Sequence, residues 1–369
     1  MKITMLQSNI AKMLGQTARI VGARTTLPVL SNILIDAAKG KIKFSATDLE
    51  VGITASSIGK VEEDGQITLP ARLLSDFILN NKDESVEIST EGTIATLKSS
   101  HFEATIHGIA AEEFPTIPEA PKSFFVSIPR VIFVEALKKV NIAPATDDTR
   151  PALAGIYFQF DQKVLTMAAT DSYRLAEKKI DLSNTVEEKK LIVPSRTMNE
   201  VLRILSASET TEEISLAVTD NQISFKIGET FIVSRIIEGN FPNYHQIIPS
   251  SSKIKVRVKL AELVSAVKMS FLFAKDSANN NVKFVVKGNN LEILSAATQA
   301  GSAKSQLSAE VSGGELEIAF NAKYVLDVLS VIGSDLIDFE FNDGLSAGVL
   351  KSEKDQGYLY IMMPLKLEN

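Results

Sequence analysis

The 369-residue chain has no cysteine, and only three histidines, His101, His107 and His245. Without thiols there is no disulfide framework, no thiolate zinc or iron–sulfur site and no cysteine nucleophile. His101 and His107 stand six apart in a strand-rich region with no carboxylate at helical spacing, which fits surface histidines rather than metal ligands. No apolar run approaches the roughly 18 to 20 residues of a membrane helix, and the start MKITMLQSNIAK has no long apolar stretch after a basic region. The expectation is a cytoplasmic protein with no membrane partner. Also missing are a G-x-x-x-x-G-K-[ST] loop, a G-x-G-x-x-G after a strand and an H-E-x-x-H helix.

What is present is an ordinary globular composition, 45% hydrophobic and 23% charged, in a length that suits two or three domains of about 100 to 200 residues. Comparison of the chain with itself gives the strongest signal. Ala46-Thr47-Asp48, Ala169-Thr170-Asp171 and Ala297-Thr298-Gln299 each follow an alternating apolar segment, at offsets of 123 and 128 residues. A second marker, Leu69-Pro70-Ala71-Arg72, Val193-Pro194-Ser195-Arg196 and Phe320-Asn321-Ala322-Lys323, recurs at 124 and 127. Two independent markers with nearly one period imply three homologous domains, 1–121, 122–248 and 249–369, joined at FPTIPEAPKS and FPNYHQIIPSSSK. Each repeat reads as strand, helix and short strands, twice over. Apolar spacing of three and four predicts helices over Ser8–Val21, Ala71–Asn81, Pro129–Asn141, Ser195–Ser206, Leu260–Phe273 and Ala322–Ile332. The fold class is therefore α+β, with antiparallel sheets and two helices per domain.

The net charge of −6 hides an asymmetry. The six helical segments hold ten basic residues, Lys12, Arg19, Arg72, Arg130, Lys138, Lys139, Arg196, Arg203, Lys268 and Lys323, against five acids, Asp76, Glu135, Glu200, Glu262 and Asp327. An acidic protein with basic helices suits a polyanion met by the helices alone. The i,i+4 pairs Arg72/Asp76, Arg196/Glu200 and Lys323/Asp327 offer a plainer role in holding helices together. One catalytic pattern occurs, Gly344-Leu345-Ser346-Ala347-Gly348, matching a nucleophile elbow. It lacks a following helix and any later histidine, so a tight turn between strands is the better reading and a serine hydrolase is disfavoured.

Five ordered motifs, Thr26-Leu27-Pro28-Val29-Leu30-Ser31-Asn32, Ala46-Thr47-Asp48-Leu49-Glu50, Ala169-Thr170-Asp171-Ser172-Tyr173-Arg174-Leu175-Ala176, Phe241-Pro242-Asn243-Tyr244 and Met363-Pro364-Leu365, resemble the bacterial DNA polymerase III beta subunit, the replication sliding clamp. The resemblance runs from Met1 to Leu367. It implies three similar domains per chain (the DNA clamp fold), closed head to tail as a homodimeric ring with helices lining the hole, and a non-catalytic processivity function without cofactor or metal. Implied partners are duplex DNA bound without sequence preference, the DNA polymerase III alpha subunit, the clamp loader, and repair and translesion polymerases that share one peptide motif. Geometry adds a test. Six helices spaced about 9 Å apart leave a bore of only ~7 Å after a helix diameter of about 10 Å is removed, whereas twelve leave ~24 Å. A duplex whose major groove alone is about 12 Å wide fits only the second, so a chain with six such helices must dimerise to encircle it.

The resemblance also implies site residues. Arg24 and Arg150 match DNA-contacting positions, although Pro151 and Ala152 replace aromatic residues found in some relatives. The partner pocket takes Leu153, Thr170, Ser172, Tyr173, Arg174 and Leu175 from one stretch and Pro242, Gln246 and Ile247 from the second joint. Leu345, Ala347, Ile361, Met362, Met363, Pro364 and Leu365 complete it from the C-terminal third, where the run Tyr360–Leu367 is apolar on successive residues. Gln246 and Lys366 depart from the arginines common in relatives. The ring-closing contact is assigned to Phe102 and to Phe271, Leu272 and Phe273, where the apolar run outlasts the helix stripe.

Overall fold

The computed structural model describes residues 1–369 except 23–26, 148, 209–210, 276–277, 298–300 and 367–369. Six α-helices are described: α1 Gln7–Thr17, α2 Ala71–Asn80, α3 Arg130–Val140, α4 Ser195–Ala207, α5 Leu260–Ala274 and α6 Ala322–Leu329. They fall where the apolar spacing places them, with differences confined to the ends. α1 stops at Thr17 because its last turn tightens into a 3₁₀ segment, Ala18–Ile20. Pro70 and Pro194 sit immediately before α2 and α4, where a missing N–H costs little.

The chain forms two compact units, residues 1–130 with 200–236, and residues 131–199 with 237–369. In the first unit a five-stranded sheet runs Lys60–Glu63, Lys2–Leu6, Ser85–Glu91, Ile94–Lys98, Glu103–His107. Its eight-stranded sheet has the order Val126–Pro129, Glu213–Val218, Gln222–Ile227, Thr230–Arg235, Val51–Ile58, Lys41–Thr47, Asn32–Ala38, Gly65–Pro70. Strands of the first and second repeats thus share one sheet, joined where Thr230–Arg235 pairs antiparallel with Val51–Ile58. The second unit repeats the device. Arg174–Pro194, from the second repeat, pairs with Tyr358–Met362, from the third, inside a seven-stranded sheet. Its other sheet has the order Gly301–Ser308, Asn290–Ala297, Asn281–Lys287, Leu316–Asn321.

The expectation of short strands fails in the second repeat. Gly155–Thr170 and Arg174–Pro194 form one long hairpin, whose register shifts around Gln162, a residue with φ of +52°. The shift takes up the extra residues as a bulge, so pairing continues instead of ending. The apolar run near the C-terminus has a simple cause: Tyr358–Met362 lies between Arg174–Pro194 and Gly348–Ser352 with both faces covered, and Tyr360, Ile361 and Met362 are at most 1% exposed.

The repeat marker Ala-Thr-Asp is a turn with a fixed hydrogen-bond pattern. The Thr47 hydroxyl donates to the Val51 carbonyl (2.9 Å) and accepts from Leu49 N–H (3.0 Å), while the Asp48 carboxylate accepts from the N–H groups of Glu50 and Val51. Thr170 and Asp171 make the same four bonds around Ser172, Tyr173 and Arg174. Leu49 and Ser172 both hold φ at +78°, a left-handed conformation that these side-chain bonds support without glycine. The third copy, Thr298 and Gln299, lies outside the described residues.

Candidate functional site

In the second unit this turn forms one wall of a cavity of about 220 Å³. Thr170, Ser172, Tyr173, Arg174 and Leu175 come from the turn and the strand after it, Pro242, Asn243, Tyr244 and Ile247 from the joint between the second and third repeats, and Ile361 and Met363 from the C-terminal strand. The register explains the convergence. Arg174 pairs with Met362 and Leu175 with Ile361, and Met363 N–H donates to the Tyr173 carbonyl at 2.9 Å, which ties the strand end to the turn. Leu175, Ile361 and Tyr244 form a buried floor with Ala168 and Val349, and Ala347 packs against it. Tyr173 and Met363 stand at the mouth, 61% and 42% exposed. An apolar floor with aromatic and thioether walls suits an extended segment with large apolar side chains.

Two polar anchors hold the walls. The Tyr244 hydroxyl donates to buried Glu177 at 2.5 Å, and burial with this neighbouring carboxylate pushes the phenol's pKa up. The Arg174 side chain donates to Asp171 at 3.0 Å and to Asp327, and its guanidinium lies 4.2 Å from the centre of the Tyr324 ring. Burial alone would lower the Arg174 pKa. Tyr360, Asp327 and Asp171 outweigh it and hold the group protonated. Arg174 is thus a structural member of the wall, with its Nε and Nη1 donors engaged inside the protein.

Nine of the residues assigned to this pocket line the cavity, and the others are placed around it. Leu153 is buried in the 3₁₀ turn Pro151–Leu153, and Met362 is buried on the strand face opposite Ile361. Gln246 is exposed on the turn Tyr244–Ile247. Leu345 is 85% exposed in a turn where the Asp343 carboxylate accepts from Leu345 and Ser346 N–H groups, the tight turn expected for Gly344–Gly348. Pro364 and Leu365 are half-buried, and Leu365 N–H donates to the Ala319 carbonyl. Sequence reasoning left Asn243 and Tyr244 out of the pocket, although both stand in the motif Phe241–Tyr244.

Arg150 is exposed and donates to the Ser172 hydroxyl at 2.7 Å, while Arg24 lies outside the described residues. Phe102, 51% exposed, precedes the strand Glu103–His107 at the edge of the five-stranded sheet. Leu272, 58% exposed, is near the end of α5 between half-buried Phe271 and Phe273. His101 and His107 are both exposed, and the His101 ring and backbone hydrogen-bond Asp83, holding that carboxyl at about 2.

The helical cations need three corrections. Lys139 is 3% exposed and sits between Asp355 (2.5 Å) and Glu135 (2.6 Å), so it is a buried structural charge and offers nothing to an outside polyanion. Asp327, expected to pair with Lys323 four residues earlier on α6, receives Arg174 from the strand Arg174–Pro194. Arg203 is also occupied, by Glu200 and the carbonyls of Gly15 and Gln16. Lys12, Arg19, Arg72, Lys138, Arg196, Lys268 and Lys323 are exposed, with Arg72 3.9 Å from Asp76 at the expected i,i+4 spacing. Among the described residues no group of three or more His, Cys, Asp or Glu could hold a metal, and no helix is long and apolar enough to cross a membrane.

Three descriptions of the DNA polymerase III beta subunit match consecutive segments: its N-terminal domain at residues 1–118, its central domain at 127–243 and its C-terminal domain at 245–366. The beta sliding clamp of Staphylococcus aureus strain N315 is 29% identical over 99% of both chains. Among solved structures, the DNA polymerase sliding clamp of Bacillus subtilis superposes over the full length of both chains with a TM-score of 0.95 at 26% identity. The Pseudomonas aeruginosa sliding clamp bound to griselimycin does so at 0.94 and 28%. With the repeat, the shared sheets and the turn motif, these matches place the chain in the DNA polymerase III beta subunit family.

Proposed function

We propose that two copies of this chain close head to tail into a ring around duplex DNA and act as a sliding clamp that confers processivity, without catalysis of its own, in the cytoplasm. One observation carries the reading. At each joint between repeats, the last strand of one three-stranded meander pairs with the strand that follows an Ala-Thr-Asp turn: Thr230–Arg235 with Val51–Ile58, and Tyr358–Met362 with Arg174–Pro194. The strands equivalent in the repeat are Glu103–His107 and Gly301–Ser308, and both stand at sheet edges among the described residues. An exposed edge is a template for pairing with another chain. Joining these two edges between copies repeats the same pair of surfaces twice and closes a two-fold ring. Phe102 borders one edge, and α5, with Phe271, Leu272 and Phe273, packs on the other.

The exposed helical cations supply a sequence-independent attraction to phosphates, with Arg24 and Arg150 among the DNA contacts. The Thr170–Arg174 cavity receives short peptides, glutamine followed by a Leu/Phe end, from the DNA polymerase III alpha subunit, the clamp loader and repair or translesion polymerases. The absence of cysteine makes a direct test of closure possible. Single cysteines introduced in pairs, one along Glu103–His107 and one along Gly301–Ser308, should give a disulfide-linked dimer on oxidation for at least one register. A chain that stays monomeric for every pair would contradict the closed ring.

A further inference from the structure

The repeat builds a second groove. In the first unit, a cavity of about 210 Å³ lies against the Thr47–Val51 turn, matching in size the one of about 220 Å³ against Thr170–Arg174. The equivalence extends to the backbone. Arg235 N–H donates to the Glu50 carbonyl at 3.0 Å, as Met363 N–H does to Tyr173 at 2.9 Å, and Val51 pairs with Ser234 as Arg174 does with Met362. The connecting segment Phe114–Pro118 takes the place of Phe241–His245, so Pro115 stands for Pro242 and Ile117 for Tyr244.

The side chains differ. Leu175 is replaced by Gly52, where a Cβ would meet Ile117 Cγ2 at 2.9 Å, so the Ile117 side chain occupies the space and supplies the apolar floor with Val233. Leu49, 50% exposed, takes the place of Ser172 and adds an apolar side chain where the other groove has a hydroxyl. At the mouth, Tyr173 and Met363 are replaced by Glu50 and Arg235, a 3.7 Å ion pair whose side chains are each 63% exposed. An exposed pair at that distance contributes little to stability, so a ligand can exchange it for its own charges at small cost.

We propose that this groove is a second peptide-docking site, for an extended segment with one aliphatic side chain flanked by a basic and an acidic residue. The aliphatic group would insert between Leu49, Ile117 and Val233. The base would face Glu50 and the acid Arg235, which gives the site a charge code distinct from the neutral mouth of the other groove. The class of ligand rests on the peptide reading of the Thr170–Arg174 cavity.

The test uses the full chain with labelled methyl groups, observed by NMR. One probe is a capped hexapeptide with leucine between lysine and aspartate, and the other a capped peptide with glutamine and a Leu/Phe end. The first should shift Leu49, Ile117 and Val233, with a Kd of about 100 µM, and Glu50→Gln with Arg235→Gln should weaken it about threefold or more. Both positions are exposed, so the double variant keeps the fold, and the second peptide should still shift Leu175 and Ile361 in it. No response at Leu49, Ile117 and Val233, or a response unchanged by the double substitution, overturns the second site while leaving the first standing. No response of Leu175 and Ile361 to the second peptide overturns the peptide reading of the Thr170–Arg174 cavity.

Discussion

Replacing Asp355 with asparagine should unlock the joint between the second and third repeats. The Lys139 ammonium on α3 is 3% exposed and lies 2.5 Å from one Asp355 oxygen, while Lys178 donates to the other, so a single carboxylate neutralises two cations. The same turn is fastened by the Tyr358 hydroxyl, which donates to the Lys139 carbonyl at 3.1 Å, and by the Tyr358 ring, 5.5 Å below the ammonium. Removing one partner from a buried ion pair costs about 3–5 kcal/mol, because the other charge stays buried without compensation. Lys139 keeps Glu135, which is 57% exposed, so the low end, about 3 kcal/mol, applies. For a unit of roughly 200 residues that corresponds to a fall in its melting transition of about 6–12 °C. Burial pushes the Asp355 pKa up, but hydrogen bonds from Lys139 and Lys178 outweigh it and hold the carboxyl below its usual range. Its contribution is therefore complete above the unfolded carboxylate value of about 4 and is lost as pH falls through the lower folded value. Calorimetry should show a difference between parent and variant that is largest near neutral pH and shrinks on acidification below about pH 4. A variant within about 1 °C of the parent at neutral pH would refute the buried-charge reasoning.

Phe102→Ala with Leu272→Ala should give a folded monomer in sedimentation, since a two-fold ring loses each contact twice; an intact dimer would move the closing surface elsewhere. Tyr173→Ala with Met363→Ala should reduce binding of glutamine–Leu/Phe peptides by more than tenfold while dimer mass and circular dichroism stay unchanged, an effect of about 1.4 kcal/mol or more read by calorimetry. Arg24→Ala with Arg150→Ala should flatten the salt dependence of DNA binding by about one unit of slope per lost phosphate contact. An unchanged slope would remove both from the DNA surface.

The helices and the three-fold repeat were legible because periodic burial and a side-chain-dependent turn leave marks in the sequence. Thr47 and Asp48 recur as Thr170 and Asp171 since each side chain makes two bonds that hold a left-handed residue, and few other residue types can do so. The joining of sheets across repeats was not legible, because strand pairing over more than 170 residues, as between Val51 and Ser234, has no local signature. Charge counting placed Lys139 among the exterior cations because its neutralising partner, Asp355, lies 216 residues away. Much of the pocket could be read from the motif around Thr170–Leu175, whereas the place of Tyr244 in it rests on packing with Leu175 and Ile361 and a bond to Glu177, 67 residues away in the chain. Met362 alternates with Ile361 across a strand covered on both faces, a distinction that an unbroken apolar run conceals.

The most direct test of a closed ring is its retention on DNA of different topology. Once assembled on a nicked circular duplex by a clamp loader, the protein should co-elute with the DNA in moderate salt and be lost within minutes when one restriction cut makes the circle linear. Equal retention on circular and linear DNA would mean binding by surface contact alone and would contradict the account.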